Sequence, residues 1–144
     1  MRSNILIRVD SSDLIGSGHA VRCLNLAINL RNHGCNIVFV TRKNKSDYSF
    51  LFFENGFEVI TLAPSCPQLN TKSKSDIGYL SWLGTSQDLD AEDTLKSIED
   101  RVFDWIIIDH YALDHVWQDL LKPKTNKIMV IDDLANRKHN CDIL

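Results

Sequence analysis

The apolar run Ile5-Leu6-Ile7-Arg8-Val9-Asp10 leads into Gly16-Ser17-Gly18-His19 and then into a helical pattern of Val21, Leu24, Leu26, Ala27, Ile28 and Leu30. A nearly continuous apolar strand is what the centre of a parallel sheet requires, because both of its faces are covered. Strand, glycine-bearing loop and helix in that order open a βαβ unit. Glycine lets the backbone adopt φ > 0 and lets a ligand come close. The following helix start presents unpaired N–H groups and a partial positive charge, which suits a phosphate or a developing oxyanion. The same field disfavours imidazolium, so His19 is expected to be neutral near pH 7 and able to accept a proton. Anion recognition and a base within one helical turn point to chemistry on a phosphorylated or nucleotide-linked substrate.

The alternation of strand and helix continues along the chain. Residues 4–9 form the first strand, 18–33 a helix stopped by Gly34, and 36–41 the second strand. Residues 46–55 form a helix stopped by Gly56, and 57–62 the third strand. Residues 63–78, with Pro64, Pro67 and several Ser, Thr and Lys, read as a surface loop. Helix returns over 88–101, strand over 104–109, helix over 113–121 before Pro123, and strand over 127–132. The fold class is therefore α/β, a Rossmann-like open parallel sheet with right-handed crossovers and helices on both faces. One such domain occupies 1–144, without internal repeats. Cys141-Asp142-Ile143-Leu144 reads as the opening of a sixth strand with no polar cap after it, so a longer native chain is expected.

Composition narrows the partners. Of 144 residues, 44% are apolar and 24% charged, as in an ordinary globular domain. The net charge of −3 supplies no basic field for nucleic acid. No apolar run approaches the roughly 20 residues that span a bilayer, and Arg2 leads at once into a strand, without a secretory leader pattern. No membrane partner is expected. Cys23, Cys35, Cys66 and Cys141 are scattered without a CxxC pair, which favours reduced thiols and a cytoplasmic location, with Cys23 and Cys141 in the core.

Ligands of open α/β sheets bind beyond the carboxyl ends of the strands, where strand order reverses. Those ends carry Asp10, then Asp109-His110-Tyr111, then Asp132-Asp133. An order 3-2-1-4-5 sets the 16–22 loop against residues 109–111 across one crevice. Each candidate has a plainer role as well. Asp10 either serves the site or caps its turn, and His19 is either a base or a solvated helix-start residue. Arg22, three residues after His19 on the same face, binds phosphate or pairs with a carboxylate. His110 and Tyr111 line the site or are satisfied at the core edge; Asp132 and Asp133 serve the site or cap the next segment. His33, His115 and His139 read as surface residues, and Trp105 and Trp117 as packing. The spacing of His, Cys and acids matches no HExxH or Cys/His ligand pattern, so no metal is expected. Gly16-x-Gly18-x-x-Val21 lacks the third small residue of a dinucleotide fingerprint, and Val40-Thr41-Arg42 lacks the ribose-binding acid. The pattern does not fit an NAD dehydrogenase, and no cofactor is expected.

Longer matches point to a family. Ile7-Arg8-Val9-Asp10-Ser11-Ser12, followed by residues 15–24 (Ile-Gly-Ser-Gly-His-Ala-Val-Arg-Cys-Leu), closely resembles the start of the UDP-sugar hydrolases of pseudaminic acid biosynthesis. Trp82-Leu83-Gly84-Thr85-Ser86-Gln87 with Asp90-Ala91, then Ile108-Asp109-His110-Tyr111, then residues 131–137 through His139 and Cys141-Asp142 match in the same order. The resemblance implies the N-terminal half of a GT-B-like fold, whose C-terminal, nucleotide-binding half lies outside this chain and is its expected partner. It implies metal-independent hydrolysis of UDP-2,4-diacetamido-2,4,6-trideoxy-β-L-altropyranose to UDP and free sugar, with this half inactive alone. His19 matches the family's catalytic base and Tyr111 its site tyrosine. The substrate-binding candidates are Asp10, Gly16, Gly18, Arg22, Asp109, His110, Asp132 and Asp133. UDP is a good leaving group, so aiming a water at the anomeric carbon is the main task. Two other readings remain open: a GT-B glycosyltransferase that admits an acceptor hydroxyl, and a binding domain without turnover.

Overall fold

Five parallel strands form one sheet in the computed structural model, which describes residues 2–64 and 80–144. They are β1 (Asn4–Val9), β2 (Asn36–Arg42), β3 (Glu58–Leu62), β4 (Phe103–Asp109) and β5 (Thr125–Val130). Their order is β3-β2-β1-β4-β5, so the direction of winding reverses between β1 and β4. The register pairs Ile7 of β1 with Phe39 and Ile107, and Val9 with Asp109. This is the α/β open sheet that the alternating pattern implies.

The pleat of the central strand sorts its side chains between two cores. Ile5, Ile7 and Val9 pack with Phe39, Ile107 and with Ala20, Cys23 and Ala27 of helix α1 (Gly18–Asn32). Leu6 faces the other way, toward Ile106, Ile108 and the helices α4 (Gln87–Ile98) and α5 (His115–Leu121). Helix α2 (Phe50–Glu54) joins α1 on the first face through Phe52, stacked 3.9 Å from Phe39. A short helix, α3 (Leu80–Leu83), drives Leu83 into the second core. Sequence alternation thus becomes a three-layer sandwich.

Helix ends follow local chemistry. Gly34 at φ 88° lets α1 stop with paired bonds, Gly34 N–H to Arg31 O at 2.9 Å and Cys35 N–H to Leu30 O at 3.1 Å. The same pair of bonds follows α2, from Gly56 to Phe53 and from Phe57 to Phe52. Ser86 and Asp114 cap α4 and α5 by accepting Leu89 N–H and Val116 N–H.

Several boundaries differ from the expected ones. The helix expected over 46–55 is only α2, because Ser46 has φ 55° and Asp47 accepts from the Ser49 N–H and hydroxyl. The helix expected to reach residue 101 ends at Ile98, where Glu99 turns to φ 53°. The helix expected from residue 113 begins only at His115, because Asp114 is its N-cap. The fifth strand is Thr125–Val130, not 127–132; Ile131 N–H still donates to Ile108 O at 2.9 Å, and Asp132 accepts from Leu134 N–H. The expected sixth strand is present as a single parallel bridge between Met129 and Ile143. Most of the 63–78 loop, with Cys66, lies outside the described residues. Among the described residues, no helix is long and apolar enough to cross a membrane.

Candidate active site

The carboxyl ends of β1 and β4 meet the first turn of α1, and there the side chains of His19, Arg22 and Asp109 converge. Gly16 makes the turn into this helix at φ 81°, with its N–H bonded to Ser12 O at 2.7 Å. Gly18 begins the helix, and a Cβ there would meet nothing within 4 Å. Among the described residues, no packing demands glycine at 18.

Asp109 turns toward α1, following Ile107 on the same side of β4. Its carboxylate is fully buried and lies 2.6 Å from His19 Nδ1. Arg22 donates to it twice, from Nε at 2.5 Å and Nη2 at 2.6 Å, and the Cys23 thiol donates at 3.4 Å. Burial opposes the charge on Asp109, but the Arg22 and His19 hydrogen bonds outweigh it and hold the carboxyl below its ordinary value. An ionised carboxylate only accepts, so the His19–Asp109 contact needs a proton on Nδ1, which Arg22 Nη2 also approaches to 3.1 Å; in the neutral ring with that tautomer, Nε2 is the acceptor. Among the described residues, Nε2 has no hydrogen-bond partner. Burial, then the neighbouring Asp109 charge, push the Cys23 thiol well above its usual value, so it stays protonated.

Two rings frame His19. Tyr111 meets it edge-on at 4.6 Å, and Trp82 of α3 meets it edge-on at 5.9 Å. The Tyr111 hydroxyl donates to Asp133 in a short bond, which raises the phenol's pKa and lowers that of the carboxyl. Asp133 itself is exposed.

Other candidates lie outside this cluster. His110 follows Asp109 but faces the opposite core. Ala112 N–H donates to its Nδ1 at 3.0 Å, so its own proton sits on Nε2 and is donated to Asp10 at 2.9 Å. Asp10 is 2% exposed and also accepts from Arg8, Thr41 and the Arg42 backbone. Burial opposes its charge; Arg8, and after it His110, hold its carboxyl far below the ordinary range. His110 is thus hydrogen-bonded at the core edge, and Asp10 is paired with Arg8, the Arg42 backbone and His110 instead of capping its own turn.

Beneath them lies a network that sequence reading did not anticipate. The fully buried Arg8 bridges Asp10 and Asp90, and Asp90 also accepts from Arg42 at 2.9 Å and Trp117 Nε1 at 2.9 Å. Its one sequence signal was Arg8 itself, a cation inside an apolar strand. Trp117 packs as expected, but this bond is an added role. Trp105, partly buried, packs against the first core as expected, with Lys127 Nζ 5.5 Å from its ring centroid.

Asp132 is likewise held by local partners, its side chain 1% exposed. Its oxygens accept from Leu134 N–H at 3.0 Å and from His139 Nε2 at 2.9 Å, and pair with Arg137 at 3.0 Å. His139 was expected at the surface, yet its side chain is 3% exposed. Gln118 explains this: it donates to His139 Nδ1 at 2.9 Å and accepts Asn140 N–H at 2.6 Å. The loop from 131 to 140 is thereby tied down, and it carries Asp133 to Tyr111. His33 is exposed, as expected, and the His115 side chain is 40% exposed.

An open depression of about 600 Å³ lies at the opposite edge of the sheet, lined by Arg2, Arg31, Glu58 and Arg101 among others. Arg31 is spent on Asn55 O at 2.6 Å and Arg101 on Glu58 at 2.7 Å. It has no connection with His19.

No protein-family model matches the chain. Over 141 residues the chain is 30% identical to the UDP-2,4-diacetamido-2,4,6-trideoxy-beta-L-altropyranose hydrolase of Campylobacter jejuni subsp. jejuni serotype O:2 (strain ATCC 700819 / NCTC 11168). The similarity covers 97% of this chain and 40% of that protein, so the chain spans about two fifths of its curated relative's length. The resemblance read from separate motifs therefore extends along nearly the whole sequence.

Proposed function

We propose that this chain carries the catalytic base of a nucleotide-sugar hydrolase, with a UDP-linked 2,4-diacetamido-2,4,6-trideoxy sugar as substrate. The observation that carries this reading is the His19–Asp109 contact: the carboxylate holds Nδ1–H and leaves Nε2 as an acceptor at the cleft. The similarity to a hydrolase of such a sugar supports the substrate class.

In the proposed step, a water oxygen bonds to the anomeric carbon while the bond from that carbon to the phosphate oxygen breaks. UDP leaves with the electron pair, and the water's proton passes to His19 Nε2. Attack opposite UDP inverts the anomeric centre. Base catalysis of this kind is worth about 10²–10⁴-fold. The Tyr111 ring fixes the face of His19, and the exposed Asp133 carboxylate is available to a sugar hydroxyl or amide N–H. The uncrowded position of Gly18 allows close approach of substrate to the helix start. Asp109, Asp10 and Asp132 are committed to Arg22, Arg8, His110, Arg137 and His139, so no metal step is proposed. Pseudaminic acid biosynthesis in the cytoplasm is the setting this reading implies.

The test is release of UDP and a reducing sugar from the UDP-linked sugar by an enzyme containing this chain, with and without chelator and added acceptor sugars. The reading predicts chelator-resistant release that acceptors do not divert, and loss of at least about 10²-fold in kcat for His19→Ala and His19→Asn. Retention of more than about a tenth of kcat in either variant removes His19 as the base. A disaccharide product instead indicates a glycosyltransferase. The 144-residue chain alone should be nearly inactive, because remote binding energy positions the reacting centre and this chain spans two fifths of its relative.

A further inference from the structure

The base at the cleft shares its carboxylate with a cation. An imidazole bonded to a buried carboxylate alone is drawn toward imidazolium, because the opposite charge favours a second proton on the ring. A ring that already holds that proton cannot take one from water. Asp109 is not alone. Arg22 donates to both of its oxygens, to Oδ2 from Nε at 2.5 Å and to Oδ1 from Nη2 at 2.6 Å. The oxygen that lies 2.6 Å from His19 Nδ1 is therefore also bonded to the guanidinium, and Arg22 Nη2 stands 3.1 Å from Nδ1 itself. Carboxylate and guanidinium together place no net charge beside Nδ1. The guanidinium is charged at every working pH, and its bonds to Asp109 raise its pKa further.

The remaining groups around the ring disturb this balance little. Among the described residues, Asp133 is exposed and screened by solvent, and Tyr111, bonded to it, is a neutral phenol. Arg137, 5.8 Å from the Tyr111 ring centroid, is paired with Asp132, and Cys23 stays a thiol. We propose that Arg22 is a positioning residue that keeps His19 a free base: by cancelling the charge of Asp109 it lets that carboxylate fix the ring and its Nδ1–H tautomer without drawing a proton onto Nε2. This rests on the hydrolase reading for the reaction served, while the state of the ring is readable without substrate.

The experiment follows the ring nitrogens of His19 by NMR across pH in an enzyme containing this chain, with the signals assigned by their loss in His19→Asn. Arg22→Gln should move the midpoint of ring protonation upward by about one pH unit or more, the effect of an unbalanced carboxylate in contact. The acid limb of kcat for UDP release should move with it. Arg22→Lys, which keeps the charge and loses the fork, should stay closer to the unsubstituted protein than Arg22→Gln does. Arg22→Gln combined with Asp109→Asn removes both charges and should return the midpoint to within about half a unit of its starting value, a recovery that lost packing would not give. If Arg22→Gln does not fold, Asp109→Asn is compared with that double variant. The unbalanced guanidinium of Asp109→Asn should then hold its midpoint about one unit or more below the double variant's. A midpoint unmoved by loss of Arg22, or one still shifted upward when both charges are gone, overturns the proposal whether or not UDP is released. Midpoints that move as stated in an enzyme that releases no UDP overturn the hydrolase reading and leave the charge balance standing.

Discussion

His19 Nδ1 lies 2.6 Å from Asp109 Oδ1, although 90 residues separate the two in sequence. Helix α1 brings one partner and the end of β4 the other, and the contact exists because β1 and β4 are neighbours at the reversal of strand order. Arg22, one turn along α1, grips the same carboxylate and keeps it ionised.

Asp109→Asn should therefore lower kcat by about 10²-fold or more with little change in substrate affinity, because an amide no longer enforces the Nδ1–H tautomer. The check is kcat and KM for UDP release in an enzyme containing this chain. A rise in KM alone, with kcat intact, would assign Asp109 to binding.

Asp90 should be among the costliest residues to truncate. Asp90→Ala leaves the guanidinium groups of Arg8 and Arg42 buried without their shared partner, a loss of about 3–5 kcal/mol. Trp117→Phe removes one donor to the same carboxylate, at a cost of about 1–3 kcal/mol. Urea unfolding measures both; an Asp90→Ala loss under about 1 kcal/mol would show that the network is idle.

Stability should fall steeply in acid. Burial opposes the charges on Asp10, Asp90 and Asp109, but Arg8 for the first two and Arg22 for the third outweigh it, so each folded value lies below the unfolded one. Such groups contribute stability that is complete above the unfolded value, about 3.9, and is lost as the pH falls through the depressed folded values. The unfolding midpoint should be flat from about pH 7 to 5 and drop below about pH 4. Asp109→Asn, with one such group fewer, should show a shallower drop.

Glu99 is exposed at φ 53° and ψ −120°, in a turn closed by Arg101 N–H to Ile98 O at 3.0 Å. That is the first central position of a type II′ turn, which favours glycine. Glu99→Gly should stabilise the protein by about 1 kcal/mol, whereas Glu99→Ala should not. Thermal unfolding of the two variants decides it.

Periodicity and stop residues were enough to read five strands and their parallel direction, whereas the expected sixth is a single bridge and the order β3-β2-β1-β4-β5 was assumed from the fold class. The reversal point then brings residues 16–22 and 109–111 to one edge, because a parallel sheet with short right-handed crossovers leaves few ways to wind. The proximity of His19 and Tyr111 was legible for that reason. The parity of β4 also carried information that a list of strand-end residues overlooks: adjacent side chains face opposite layers, so Asp109 meets His19 while His110 meets Asp10. Tertiary structure alone decided which charges pair. Asp90 reaches Arg8 across 82 residues, and Gln118 draws His139 inward across 21. Nothing local marks such partners, since a buried ion is tolerated only where packing brings its counterion and hydrogen bonds to it. Trp82 stood in a matching motif, but its place against Tyr111 and His19 depends on where α3 docks over the sheet. Local spacing determined the frame; desolvation and long-range packing determined what each polar side chain in it does.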